Sequence, residues 1–181
     1  STSVVNKSLE VMLILIENAS QIGVTNIVIP CVDQSTLSEN QFNYFTKNFQ
    51  PLLKKAKDSG VFLCLETDLN PTAFVDLLNR FPEEIVKVNY DTGNSASLGY
   101  DIEEEFESYG NRITDLHIKD RLLNGGSVEL GKGEVNFMLL SKLLQDYSYN
   151  NLIIIQAYRD DEGVAIFDKQ LEFFKNQFVD T

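Results

Sequence analysis

The sequence predicts an α/β fold on a parallel sheet, and three observations lead there. Helical and strand patterns alternate from one end of the 181 residues to the other. The strand segments IVIP, VFLCL and LIIIQ are almost wholly apolar, as strands covered on both faces must be. The polar residues of four strands, Glu66, Asp91, His117 and Gln156, fall at the carboxyl ends, where parallel sheets carry their chemistry.

The elements follow in order. Leu9, Leu13 and Ile16 space an apolar face along a helix over 6–23, and Gly23 stops it. NIVIP, 26–30, is a buried strand closed by Pro30. Ser35 or Ser38 caps a long helix reaching 58, in which Pro51 must kink the chain or divide it. VFLCLET, 61–67, is the second strand. Asn70-Pro71 opens a helix over 71–81 with a cap followed by proline in the first turn. Strand 85–90, helix 101–109 and strand 113–118 form a strand–helix–strand unit, which requires parallel strands. The loop 121–134 carries Gly125, Gly126, Gly131 and Gly133. Asn136 then caps a helix over 137–147, a strand spans 152–158, and an amphipathic helix spans 164–178.

Composition narrows the class. With 43% hydrophobic and 23% charged residues, this is an ordinary soluble globular chain, read as a single domain over 1–181. A net charge of −12 argues against nucleic acid or an anionic membrane surface as partner, since both reward Lys and Arg. No apolar run approaches the roughly 20 residues of a membrane span. Cys31 and Cys64 fit no metal-ligand spacing and read as small core residues in a reducing, cytoplasmic setting. The start, STSVVNKS, has neither a signal-peptide pattern nor a methionine, so a trimmed chain is expected.

Two architectures satisfy the alternation: an open doubly wound sheet, or part of a (β/α)₈ barrel. The nucleotide-binding open sheet wants a glycine-rich turn after its first strand, and IVIPCVDQS has none. Four neighbouring strand ends bearing polar residues are what a barrel mouth provides. A closed barrel has eight strands and this chain has five, so the expected fold is an incomplete barrel, the C-terminal part of a larger one. Glu66 and Asp91 offer carboxylate oxygens, His117 (the only histidine) an imidazole, and Gln156 an amide oxygen. That mixed set suits Mn²⁺, Mg²⁺, Co²⁺ or Zn²⁺. Lys119, Arg121, Lys132 and Arg159 lie near strand ends and read equally as a phosphate cradle or as solvated surface charge.

The blocks LETDLNP, VNYDTGNSASLGYD, DLHIKDR and VELGKGEVNF resemble, in the same order, the strand-end blocks of the xylose-isomerase-like barrels of sugar and sugar-phosphate isomerases and epimerases. The resemblance implies a divalent metal held by Glu66, Asp91, His117 and Gln156, with Glu66 and Gln156 at the two catalytic positions. It implies a sugar or sugar-phosphate substrate, for which Asn94, Lys119, Arg121 and Arg159 are the candidate binding residues. In the family the fourth ligand is commonly a glutamate that serves as the second acid/base. Gln156 departs from this, because an amide does not ionise in the useful range. One-base isomerisation through Glu66 survives the departure; two-base epimerisation is put in question. A catalytically silent sugar-binding or assembly protein, and a metal-dependent phosphoester hydrolase, are the alternative functions. A homo-oligomer is expected, because five parallel strands leave open edges.

Overall fold

The computed structural model describes residues 2–156, 158 and 164–178. The chain divides between Val88 and Asn89 into two compact units. The first holds α1 (Thr2–Gln21), β1 (Asn26–Cys31), α2 (Phe42–Ser59), β2 (Phe62–Thr67) and α3 (Pro71–Leu78). Strand β3 (Val86–Asp91) crosses the division. The second holds α4 (Thr92–Leu98), α5 (Ile102–Tyr109), β4 (Ile113–Ile118), β5 (Asp120–Arg121), β6 (Ser127–Val128), α6 (Phe137–Asp146), β7 (Leu152–Ile155) and α7 (Val164–Phe178).

Five strands form one sheet in the order β1-β2-β3-β4-β7, and β5 pairs antiparallel with β6 as a separate ribbon. The sheet order is the chain order, with no reversal. That is the winding of a barrel wall, whereas a doubly wound sheet reverses at a switch point. Among the described residues the sheet does not close. Strands β1 and β2 pair in parallel from Asn26↔Phe62 to Cys31↔Thr67, β2 and β3 from Leu63↔Val86 to Leu65↔Val88, and β4 and β7 from Asp115↔Leu152 to Ile118↔Ile155.

In the first unit, α2 lays Phe42, Phe49, Leu52, Leu53 and Ala56 on one face, all buried, at the helical spacing. Each fully buried Phe or Leu contributes about 1.5–3 kcal/mol. That face explains why Pro51 does not divide the helix: α2 runs unbroken through it to Ser59. The proline's lost hydrogen bond costs about 3 kcal/mol, less than the packing supplies. Gly60 ends α2 in the left-handed region at φ 66°, with its N–H on the carbonyls of Ala56 and Lys57. The Phe49 ring lies 5.1 Å from both Phe45 and Phe81. Beyond β1, Asp68 accepts from the Asp33 N–H (3.0 Å) and the Thr36 hydroxyl (2.6 Å), holding the connection to α2. Lys87 on β3 sets its ammonium 5.8 Å from the Phe62 ring centroid, so its charge rests on an aromatic face.

In the second unit, strand β3 runs straight into α4. The sequence predicts no element over 92–98, because Asp91 is at once the last strand residue and the helix N-cap. Asp101 caps α5 by accepting from the N–H groups of Glu103 and Glu104, and Asn136 caps α6 through Leu139 N. The last strand stops at Ile155, short of the expected 158, and Gln156 follows it with its N–H on the Ile118 carbonyl at 2.9 Å.

Candidate active site

The carboxyl ends of β3 and β4 carry the second unit's polar side chains. Strand alternation puts Asn89 with Asp91 on one face of β3, and Asp115 with His117 on one face of β4. All four are buried. Asn89 Nδ2 lies 3.3 Å from His117 Nδ1, and Gln156 Nε2 lies 2.9 Å from the same nitrogen. Two side-chain amides thus converge on Nδ1, and the neutral tautomer with its proton on Nε2 accepts from both. Burial pulls the His117 pKa below its usual value, with Lys119 adding to the effect and Asp91 and Asp115 opposing it. A neutral imidazole with a lone pair on Nδ1 is the state in which histidine ligates a metal.

Ligand atoms about 2.1 Å from one cation, at right angles, stand about 3 Å apart. The His117 Nδ1–Gln156 amide distance meets that, and a half-turn of the amide presents its oxygen in place of its nitrogen. Gln156 and His117 therefore fit a divalent ion by spacing and donor chemistry. Among the described residues no three His, Cys, Asp or Glu side chains gather as a metal-holding group.

Asp91 does two jobs already. Its Oδ1 accepts from the Asn94 N–H at 2.8 Å, capping α4, and its Oδ2 receives the Lys119 ammonium at 3.2 Å. The Asn94 side-chain oxygen accepts from Lys119 Nζ (3.3 Å) and from Arg121 Nη1 (2.9 Å). Arg121 spends its Nε and Nη2 on the Gly125 carbonyl at 3.0 and 2.8 Å. The expected basic cluster is thus partly present. Lys119 and Arg121 meet at Asn94, Lys132 is exposed, and Arg159 lies outside the described residues.

Two residues that sequence reasoning passed over hold this arrangement. Thr92 Oγ1 accepts from Lys119 N at 3.0 Å and donates to Lys119 O at 2.6 Å, tying the first turn of α4 to the end of β4. Asp120, fully buried, accepts from the backbone N–H groups of Arg121 (3.0 Å), Gly131 (2.9 Å), Gly133 (2.8 Å) and Val135 (3.2 Å). A short acid before a glycine-rich loop was the available signal, because glycine N–H groups can crowd round one carboxylate.

Glu66 belongs to the first unit. It is the next-to-last residue of β2, opposite Pro30, and is buried. Its charge is felt by Cys31: burial first, then Asp68 and Glu66, push the Cys31 thiol up to about 12.

Comparison with known proteins places the chain. Inosose dehydratases from two strains of Clostridium perfringens are each 23% identical over 147 residues, covering 68% of this chain and 50% of their own. The chain therefore spans about half the length of the curated relatives it matches. Among solved structures, the IOLI protein with a bound zinc atom superposes with a TM-score of 0.77 at 16% identity, over 96% of this chain and 71% of that one. The 3-keto-D-glucoside 4-epimerase of E. coli superposes with a TM-score of 0.74 at 14% identity, over 93% and 70%. At such identities the likeness concerns the fold. The family model described as a xylose isomerase-like TIM barrel matches residues 1–177, and the chain belongs to that family.

Proposed function

We propose that the chain carries the catalytic half of a metal-assisted isomerase or epimerase acting on a sugar or sugar phosphate. The observation that carries this reading is buried His117, whose Nδ1 lies 2.9 Å from the Gln156 amide at the strand ends and whose pKa burial pulls down. Relatives named for a dehydratase and an epimerase of sugar-like substrates, and one holding zinc, support it.

In this reading Glu66, Asp91, His117 and Gln156 are the residues that would hold a divalent ion. When bound, such an ion polarises a substrate carbonyl and stabilises negative charge on its oxygen. The protein's residues supply the rest. Glu66 takes a proton from the hydroxyl-bearing carbon next to the carbonyl and returns it to the former carbonyl carbon, while the hydroxyl's own proton passes to the former carbonyl oxygen. Gln156 orients a substrate oxygen through its amide but moves no proton, so one face of the substrate lacks a base. Asn94, Lys119, Arg121 and Arg159 bind the substrate's hydroxyls or its phosphate.

Product analysis of a panel of ketoses, aldoses and their phosphates, incubated with Mn²⁺, tests the proposal. The expected result is interconversion of one pair by the wild type and a loss of several powers of ten in Glu66→Gln. Equal rates in the two proteins would remove Glu66 from the mechanism. Gln156 favours a second reading, sugar binding without turnover, which would appear as saturable binding of a sugar that is recovered unchanged.

A further inference from the structure

We infer that the Lys119 ammonium is a built-in counter-charge to Asp91 that sets the site's affinity for a divalent cation. The inference rests on the metal-assisted reading above and adds a residue that opposes the metal. The Asp91 side chain is 1% exposed, and both its oxygens are engaged, one by the Asn94 N–H and one by Lys119 Nζ. A carboxylate so deeply buried needs compensation for its charge, and the ammonium at 3.2 Å provides it. A cation ligated by Asp91 would sit within a few ångströms of that ammonium, and two positive charges so close repel strongly where water is scarce. Metal and lysine therefore compete for one carboxylate.

The lysine's place is fixed by the fold. The Thr92 hydroxyl grips both the N–H and the carbonyl of Lys119. Gly93 lies directly beneath its stem: a Cβ there would stand 2.9 Å from Lys119 Cγ and 3.1 Å from its backbone carbon and oxygen. Only glycine lets the lysine cross the first turn of α4 to reach Asp91. The Lys119 side chain remains 21% exposed, and its ammonium already donates to a second acceptor, Asn94 Oδ1, at 3.3 Å. The ammonium thus has somewhere to swing when a cation takes Asp91. The site holds its charge balance in either state, with the lysine on Asp91 and Asn94 without metal and turned toward solvent, still within reach of Asn94, with it.

The test is a calorimetric titration of Mn²⁺ into the metal-stripped full chain, alongside thermal melts in EDTA. Lys119→Met is expected to bind Mn²⁺ at least tenfold more tightly than wild type. It should melt lower in EDTA, because Asp91 is left buried and unpaired, and regain that loss when Mn²⁺ is added. Lys119→Arg keeps the charge and should stay within about threefold of wild type. If Lys119→Met fails to fold without metal, Lys119→Gln carries the same comparison, since its amide still donates to Asp91. Equal or weaker Mn²⁺ binding in the neutral variants, with wild type binding normally, overturns the role of Lys119 and leaves the metal reading standing. Absence of saturable Mn²⁺ binding in every protein overturns the metal reading, and this inference with it.

Discussion

Glu105 has no part in the proposed chemistry, yet its buried carboxylate accepts from the hydroxyls of Tyr90 (2.7 Å), Tyr109 (2.7 Å) and Ser95. Burial raises its pKa above the ordinary glutamate value, and the three donors only partly offset that. The folded chain thus holds this proton more tightly than the unfolded chain does. The stability gained is complete below the unfolded-state pKa and is lost as pH rises through the folded-state one. Denaturant melts of wild type and Glu105→Gln should therefore diverge as pH rises above the ordinary glutamate range, with the wild type losing its relative advantage toward the higher pH. Parallel curves would contradict the shift. Cys31 makes a second check. With its thiol near 12 and its side chain buried, it should resist iodoacetamide in the native protein and react only on unfolding. Residues at this scale were legible where type and position coincide, as with Asp91 and His117 at strand ends. The Glu105 cluster was not, because nothing in DIEEEFESYG says which of its five acids turns inward.

Helices and strands were read from their apolar spacing, and all five sheet strands stand close to where alternation put them. The misses have common physical causes. Helix α4 was hidden because its cap is a strand residue, and residues 33–41 form two short 3₁₀ turns before α2 rather than its first turns. Ser38 does act as a cap, but of the second 3₁₀ turn, in a capping box with Gln41. The loop 121–134 looked irregular in sequence because its order comes from outside it, from Asp120 gathering four backbone N–H groups. Asp120→Ala leaves those donors without their acceptor and should cost about 3 kcal/mol or more. Hydrogen exchange at Gly131 and Gly133 should rise with it. Unchanged protection there would mean that the loop orders itself. Asp91→Ala removes both a helix cap and the partner of Lys119. A loss of about 2–3 kcal/mol is expected in a denaturant melt, the cap alone accounting for about 1.

At the scale of the molecule, the barrel winding follows from the strand order, and the sequence carried it through four polar strand ends in succession. Among the described residues β7 ends the sheet, with Leu152, Ile153 and Ile154 at 58%, 36% and 43% exposure. An apolar strand on an open edge invites another chain. We therefore expect mass in light scattering to rise with concentration, and Ile153→Lys to suppress the rise; a constant monomer mass for wild type would contradict this.

The central claim, proton transfer next to a carbonyl by Glu66 with a divalent ion bound, is tested most directly by solvent exchange. The chain is incubated with Mn²⁺ and each candidate ketose in D₂O, and deuterium at the carbon beside the carbonyl is followed by NMR. The account predicts exchange above the uncatalysed rate for at least one sugar, abolished by EDTA and by Glu66→Gln. Exchange that persists undiminished in Glu66→Gln, or none for any sugar with Mn²⁺ bound, would contradict it.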